Sequence, residues 1–209
     1  MRPSMERLKE KKKKNLIGAE IGVWKGNNAF DILTNLDIKK LYLVDPYVPY
    51  LETSHTFLDG NGEAEETKKT AINKLQPFEG KTVWHFLTSM EAVKQIEDNS
   101  LDFVYIDGNH QYEYVRDDVQ EWTKKVKTGG LVCGHDANLK EVHIAVSGYC
   151  EENEYEPLTL EYKKDKKFWQ SIADSSIGVK LNWKETKQLV GKDELIIPKD
   201  WWFWKEKPC

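Results

Sequence analysis

Acidic residues follow short apolar runs at four places in this chain, a spacing that could bring several carboxylates together. Glu20, Asp45 and Asp107 each end such a run, and a fourth run leads through His135 to Asp136. A group of carboxylates suits a ligand that carries ammonium or hydroxyl groups, and it also suits a divalent metal ion. The sequence therefore predicts a shared binding cleft, provided that the elements carrying these residues end at one place.

The apolar runs have the length and composition of strands buried on both faces of a sheet, and they alternate with helix-like segments. This alternation is typical of an α/β fold with a parallel sheet. The predicted strands are at about 16–21, 41–45, 82–87, 102–106 and 131–135. The predicted helices are at about 27–36, 63–75 and 90–97, from after His110 to the Gly129–Gly130 pair, and from near Lys140. Ligands bind beyond the carboxyl ends of such strands, so the acidic residues should line one crevice.

Three segments carry weaker patterns. Residues 47–62 lack periodicity and are predicted to form a binding loop or lid. Near the end of the chain, the segments 176–183 and 201–205 are predicted as the last two strands. Residues 1–14 are predicted to form a polar helix or a disordered lead-in, and residues 15–209 a single domain.

Composition limits the class of protein. The 209 residues are 39% hydrophobic and 32% charged, which is ordinary for a globular domain. No apolar stretch approaches the roughly 18 residues of a membrane span, and the first residues lack a signal-peptide core. The three cysteines are widely spaced, as in a reducing compartment. We therefore expect a cytoplasmic protein that binds no membrane. The net charge of −4 gives no reason to expect nucleic acid binding, and a homo-oligomer is left open.

The loop after the first strand carries glycines in the arrangement Glu20-x-Gly22-x-x-x-Gly26. Neither a Gly-x-Gly-x-x-Gly loop nor a Gly-Lys-Ser/Thr loop occurs, which argues against dinucleotides and nucleoside triphosphates. The Glu20 carboxylate repels phosphate and favours an amino group or a sulfonium. Asp45 is placed to accept hydrogen bonds from a ribose diol, and Ser89, after the third strand, to line an adenine slot. As an alternative, Glu20 and Asp45 could be charges that cap helix N-termini.

These residues resemble those of class I S-adenosylmethionine-dependent methyltransferases. The Glu20-to-Gly26 loop resembles the first motif of that superfamily, and Asp45 resembles its ribose-binding acid. The stretch 103–136, which contains Asp107 and His110, is similar to macrocin-type sugar O-methyltransferases. The resemblance implies a Rossmann-like three-layer sandwich with a mostly parallel seven-stranded sheet whose last strand is antiparallel.

The resemblance also implies roles for the residues after the fourth and fifth strands. Asp107 and Asp136 would bind Mg²⁺ or another divalent metal, His110 would act as the general base, and Asp107 would also contact the cofactor. His135 stands where the related enzymes have an acid, so it is a third candidate metal ligand. Imidazole suits Mn²⁺, Fe²⁺ or Zn²⁺ better than Mg²⁺, and metal dependence is therefore left open. Without these roles, Asp107 and Asp136 could cap helices and His110 could be a structural hydrogen-bond donor.

With this resemblance, the sequence predicts an S-adenosylmethionine-dependent methyltransferase that O-methylates a sugar or a glycosylated small molecule. Tyr47 and Tyr50 could stack on a sugar ring near the cleft, while the tryptophans at 201, 202 and 204 could stack likewise or pack a terminal strand. Two other classes are left open. One is a non-catalytic protein that binds S-adenosylmethionine, and the other is a nucleotide-binding oxidoreductase, against which the missing phosphate loop argues.

Overall fold

The structure, a computed structural model, describes residues 1–52, 55–58, 60, 62–137, 139–155, 158–159 and 200–207. Its strands are β1 (Leu16–Ile21), β2 (Ile38–Val44), β3 (Tyr50–Glu52), β4 (His55–Phe57), β5 (Thr82–His85), β6 (Leu101–Ile106), β7 (Val126–Gly134), β8 (Leu158–Thr159) and β9 (Trp201–Trp204). Its helices are α1 (Pro3–Glu10), α2 (Asn27–Asn35), α3 (Glu63–Leu75), α4 (Ser89–Ala92), α5 (Tyr112–Lys125) and α6 (Lys140–Glu152). The strand predicted at 176–183 lies outside the described residues.

Seven strands form the main sheet, in the order β5-β2-β1-β6-β7-β9-β8. The strands from β5 to β7 are parallel, and β9 is antiparallel to both of its neighbours. The edge strand β8 is only two residues long, so six strands make up the body of the sheet. The predicted α/β Rossmann-like fold, with a mostly parallel sheet and an antiparallel last strand, is confirmed.

Helices cover both faces of this sheet, which makes three layers. One face packs against α4, α5 and α6, and the other against α1, α2 and α3. In α5, the apolar positions Val115, Val119 and Trp122 are at most 3% exposed, as their helical spacing predicts. Strands with helices on both faces must be apolar on both faces, which explains the unbroken apolar runs in the sequence.

Three connections differ from what the sequence predicts. Residues Tyr50–Glu52 and His55–Phe57 pair as an antiparallel hairpin within the segment predicted as a loop. The helix predicted at 90–97 is a four-residue helix, α4, continued by a short 3₁₀ segment. The Gly129–Gly130 pair lies inside β7 rather than ending α5. Helix α5 ends at Lys125, before the glycines. The Gly129 N–H donates to the Lys205 carbonyl and the Lys205 N–H donates to the Gly130 carbonyl, so this part of β7 pairs with the chain after β9.

The N-terminal residues form helix α1, one of the two states predicted for this segment. Pro3 occupies its first turn, where the missing N–H costs no hydrogen bond. Met5 and Leu8 are fully buried in the sheet face that also contains Phe103. Helix α1 therefore packs onto the sheet, while the domain division at residue 14 stays a prediction. Within the described part of the chain, no helix combines the length and the apolar character needed to cross a membrane.

Candidate functional site

The predicted site residues meet at the carboxyl edge of the parallel strands. The chain order reverses between β1 and β6, because β2 and β5 lie on one side of β1 and β7 lies beyond β6 on the other. Glu20 is the last but one residue of β1, and Asp107 directly follows β6. Such a switch point is where open α/β sheets bind ligands.

Gly22 allows the loop after β1 to approach the end of β6. Its φ is +83°, a left-handed conformation that favours glycine. A Cβ added to Gly22 would lie 2.0 Å from the carbonyl oxygen of Asp107. Gly22 thus permits close backbone contact between the loop after β1 and the residue that follows β6. Direct contact of a cofactor with Gly22, or with Gly26 at the start of α2, stays a prediction.

Glu20 is a buried carboxylate with one unsatisfied oxygen. The residue is 1% exposed, and its Oε1 accepts a hydrogen bond from Asn28 Nδ2 at 3.2 Å. The other oxygen, Oε2, is buried and has no hydrogen-bond partner among the described residues. Burial raises the pKa of Glu20 well above its ordinary range, because the charged form is poorly solvated. A bound cation would satisfy Oε2 and favour the charged carboxylate.

Asp45 connects the loops that follow β1 and β2. Its Oδ2 accepts the backbone N–H groups of Val23 and Trp24 at 3.1 and 2.8 Å, and its Oδ1 accepts that of Tyr47 at 2.9 Å. Burial raises the pKa of Asp45, although these hydrogen bonds oppose the rise. Asp45 caps no helix, since α2 begins after Gly26 without a side-chain cap. The contact of Asp45 with a ribose diol stays a prediction.

Ser89 belongs to a polar network between α4 and α5. Its hydroxyl donates to the Asp118 carboxylate and accepts a hydrogen bond from Trp122 Nε1 at 2.7 Å. Asp118 is 4% exposed, and burial raises its pKa to about 7. The sequence reasoning missed Asp118, although an acid at helical spacing from Val115 and Trp122 lies on the apolar face of α5. The adenine contact of Ser89 stays a prediction.

Two acids and two histidines form one cluster beyond β6 and β7. Asp136 Oδ2 lies 3.1 Å from His110 Nε2 and 3.0 Å from His135 Nδ1. Asp107 Oδ1 lies 3.7 Å from His110 Nε2 and 3.8 Å from His135 Nδ1. The structure thus brings together the four residues that the sequence placed after two neighbouring strands, and the cluster lies next to the switch point.

Asp136 is the charged centre of this cluster. Burial acts to raise its pKa, but hydrogen bonds from both imidazoles lower that pKa below its ordinary value. Its φ of +55° is a conformation that aspartate tolerates better than most residues. The capping alternative is wrong for both acids, because Leu139 is the N-cap residue of α6 and Gln111 that of α5. Neither acid therefore caps the helix that follows it with its side chain.

Three side chains of the cluster could hold a metal ion. Asp107, His110 and Asp136 each offer one donor atom, and these atoms lie within 4.8 Å of one another. Two carboxylates and an imidazole form a donor set that fits a divalent ion, and the imidazole favours Mn²⁺, Fe²⁺ or Zn²⁺ over Mg²⁺. This group contains His110, whereas the sequence predicted His135 as the third ligand.

The chain before β9 supplies a further acid that the sequence reasoning missed. Asp200 is 5% exposed, and its Oδ2 accepts hydrogen bonds from the Ser4 backbone N–H and hydroxyl at 3.3 and 2.9 Å. Its Oδ1 lies 4.0 Å from His135 Nε2 and 3.9 Å from Arg2 Nη1. An antiparallel strand begins at the edge where parallel strands end, so the predicted last strand could have placed this acid. Asp200 connects α1 to the cluster.

The aromatic residues considered for sugar stacking lie mostly in the core. Tyr47 is 6% exposed, and Trp201 and Trp202 are 1% and 3% exposed, which favours packing of the terminal strand. Tyr50, at the start of β3, is only partly buried, and its contact with a sugar stays a prediction. Trp24, in the loop after β1, is 55% exposed and offers an aromatic surface near the cleft that the sequence reasoning did not single out.

Comparison with known protein families matches residues 19–137 to a family model described as a methyltransferase domain. The matched segment is more than half of the chain and contains the acids at the ends of β1, β2, β6 and β7. The chain belongs to this family. The predicted methyltransferase is thus confirmed at the level of the domain family, whereas the sugar O-methyltransferase branch stays a prediction.

Two curated relatives, both named as uncharacterized proteins, share parts of this domain. Protein R132 of Acanthamoeba polyphaga mimivirus is 30% identical over 129 residues, which are 59% of this chain and 52% of that protein. Protein y4gI of Sinorhizobium fredii is 36% identical over 62 residues, which are 30% of this chain and 7% of that protein. The matches span about half of the first relative and a small part of the second.

A solved structure from Clostridium thermocellum, of a protein named as a proposed rRNA-methylase, is similar over its whole length. The TM-score is 0.62 at 8% identity, with 100% of this chain and 99% of that chain covered. At this identity the likeness concerns the fold alone, and it says nothing about the acceptor of this methyltransferase domain.

Proposed function

We propose that this domain binds S-adenosylmethionine and transfers its methyl group to an oxygen atom of a small-molecule acceptor. The observation that carries the proposal is the buried Glu20 carboxylate at the switch point, whose Oε2 has no hydrogen-bond partner in the described part of the chain. The sulfonium and the methionyl ammonium of this donor are both positive, so a desolvated carboxylate favours it. Membership of the methyltransferase domain family supports the same donor.

The donor would lie across the carboxyl ends of β5, β2, β1 and β6. Its ammonium would contact Glu20, and its ribose hydroxyls would reach Asp45, whose oxygens can accept further hydrogen bonds beside the three N–H groups. Its adenine would lie near Ser89, at the start of α4. In this orientation the sulfonium methyl would point toward the cluster that begins with Asp107.

Methyl transfer would take place beside His110. The acceptor oxygen attacks the methyl carbon, the bond between that carbon and sulfur breaks, and S-adenosylhomocysteine leaves. His110 would take the proton of the acceptor hydroxyl, while Asp136, 3.1 Å away, orients the ring and stabilises its charged form. Positioning of the two reactants would supply most of the acceleration. A sugar hydroxyl is a poor nucleophile that needs such a base, and it is the acceptor we propose.

A second form of this mechanism includes a divalent ion. Asp107, His110 and Asp136 would hold it, since their donor atoms lie within 4.8 Å of one another. When bound, the ion would lower the pKa of an acceptor hydroxyl and fix its orientation. His110 would then be a ligand rather than the base. Treatment with EDTA separates the two forms, because turnover is unchanged in the first form, whereas in the second it is lost and then restored by Mn²⁺ or Mg²⁺.

Calorimetric titration with S-adenosylmethionine, S-adenosylhomocysteine and NAD tests the donor. We expect the first two to bind and NAD to fail; binding of NAD alone would support the oxidoreductase. Transfer of a labelled methyl group to a panel of sugars, glycosylated small molecules and phenols then tests the acceptor, with RNA as a sample expected to remain unlabelled. Donor binding without transfer to any of them would support the non-catalytic alternative.

A further inference from the structure

The start of α1 is fixed at the same edge of the sheet as the proposed donor site. Ser4 is fully buried, and both its backbone N–H and its hydroxyl donate to Asp200. Asp200 precedes β9, whose first residue, Trp201, pairs with Gly134 at the carboxyl end of β7. These contacts hold the residue before α1, Arg2, beside the cleft.

Two buried oxygen atoms near this point lack hydrogen-bond partners within the described ranges. They are Glu20 Oε2 on β1 and Tyr105 Oη on β6, in residues that are 1% and 0% exposed. Glu20 and Tyr105 are register partners on β1 and β6, and Tyr105 belongs to the same apolar cluster as Met5 and Leu8 of α1. The start of α1, which follows Arg2, therefore lies over the part of the sheet that holds both oxygens. Buried polar atoms without partners are rare in proteins, so these two oxygens suit contact with a polar ligand.

The Glu20 carboxyl group and the Arg2 guanidinium are together complementary in charge to an amino acid. The methionyl end of S-adenosylmethionine carries an ammonium and a carboxylate on one carbon atom. Glu20 matches the ammonium, and a guanidinium is the side chain that best matches a carboxylate, through two parallel hydrogen bonds. We propose that Arg2 binds the donor's methionyl carboxylate opposite Glu20, so that α1 forms one wall of the donor site. This inference rests on the proposed function, whose donor it orients.

The contact of Arg2 with Asp200 does not occupy the guanidinium. Arg2 Nη1 lies 3.9 Å from Asp200 Oδ1, and the Arg2 side chain is 36% exposed. An ion pair of this length at a partly exposed site is weak. The guanidinium has five N–H donors, so most of them remain for a ligand. The hydrogen bonds to Asp200 that fix α1 come from Ser4 instead.

Calorimetric titration with S-adenosylmethionine and with its decarboxylated analogue tests this inference. The two ligands differ only in the carboxylate. We expect the wild-type protein to bind S-adenosylmethionine at least about tenfold more tightly than the analogue. Arg2→Met should lower the affinity for S-adenosylmethionine by about tenfold and leave that for the analogue unchanged. Arg2→Lys should retain part of the preference for S-adenosylmethionine over the analogue. Lysine keeps the positive charge but lacks the two parallel N–H donors of a guanidinium.

Arg7→Met is the matched control, because Arg7 lies on the same helix and pairs with Glu10 instead. It should leave both affinities unchanged. Equal affinity of the wild-type protein for the two ligands, or an equal loss for both in Arg2→Met, would overturn the role of Arg2 and leave the proposed function standing. Failure of the wild-type protein to bind either ligand would overturn both.

Discussion

The two halves of the cleft differ in how their charges are compensated. In the donor half, Glu20 and Asp45 are at most 9% exposed, and burial raises the pKa of each. In the acceptor half, the side chains of Asp107, His110 and Asp136 remain 21–23% exposed. There the imidazoles lower the pKa of Asp136. The donor half contains a buried carboxyl group with an oxygen that a cation could contact. In the acceptor half, imidazoles contact the carboxylate of Asp136, and the side chains are partly exposed to water.

If the proposed function holds, this difference means that the two halves recognise their ligands by different means. Removal of water strengthens electrostatic interactions, so the donor half can select one charged ligand. In the partly exposed cluster, hydrogen bonds among the side chains would position the base. The donor half should therefore respond to substitutions by losing affinity, and the acceptor half by losing turnover.

The largest effect should come from the acceptor half. His110→Ala should lower turnover about 10²- to 10⁴-fold, the usual contribution of a general base, and leave the affinity for S-adenosylhomocysteine unchanged. Single-turnover kinetics and calorimetry measure the two quantities separately. His143→Ala, in α6, is the control and should have neither effect. A loss of affinity for S-adenosylhomocysteine as large as the loss of turnover would place His110 in the donor half and contradict the difference between the two halves.

The next effect concerns the donor half and its dependence on pH. Glu20→Gln should weaken binding of S-adenosylmethionine about 10- to 100-fold, since a charge-assisted hydrogen bond is lost. The pKa of Glu20 is raised in the free protein, and an ammonium favours its charged form. Wild-type affinity should therefore rise as pH rises through that pKa, with release of a proton. Titrations across this pH range should find an affinity that does not change with pH for Glu20→Gln. The exposed control Glu97→Gln should show the same dependence of affinity on pH as the wild-type protein.

A smaller effect tests the contact between Gly22, after β1, and Asp107, after β6. Gly22→Ala should lower the free energy of unfolding by about 2 kcal/mol or more, because its φ is positive and the new Cβ would meet the Asp107 carbonyl. Gly80→Ala is the control, since no atom lies within 4 Å of a Cβ placed there. Urea denaturation measures both variants. Equal stability of the two variants would mean that the two loops are not in the close contact described.

The smallest effect concerns the helix behind Ser89. Asp118 has its pKa raised to about 7 by burial, so the folded state favours its neutral form. The stability that this provides is present at low pH and is lost as pH rises toward 7. Relative to that of Asp118→Asn, the free energy of unfolding of the wild-type protein should fall by about 1 kcal/mol for each pH unit between about 5 and 7. The exposed Glu113 on the same helix provides the control, Glu113→Gln, which should follow the wild-type profile. A wild-type profile for Asp118→Asn would contradict the burial argument.

The sequence predicted those features that depend on strand ends. Apolar runs place Glu20, Asp45, Asp107 and Asp136 at one edge, because parallel strands must end together. It did not predict contacts that depend on how distant elements pack. Ser4 and Asp200 meet only because α1 and the start of β9 reach the same edge, and no local pattern encodes that meeting.

The same distinction applies inside the cluster. The sequence placed His110 and Asp136 after neighbouring strands, but the 3.1 Å contact between them depends on loop conformation, including the left-handed backbone of Asp136. Periodicity likewise assigned Trp201 and Trp202 to a strand without deciding which face they would bury.

A crystal structure with bound S-adenosylhomocysteine would show whether Glu20 holds the amino group of the donor. We expect the methionyl nitrogen at hydrogen-bond distance, about 3 Å, from Glu20 Oε2, with the ribose hydroxyls on Asp45. A product molecule bound away from the ends of β1 and β2, or one that leaves Glu20 Oε2 without a ligand contact, would contradict this expectation.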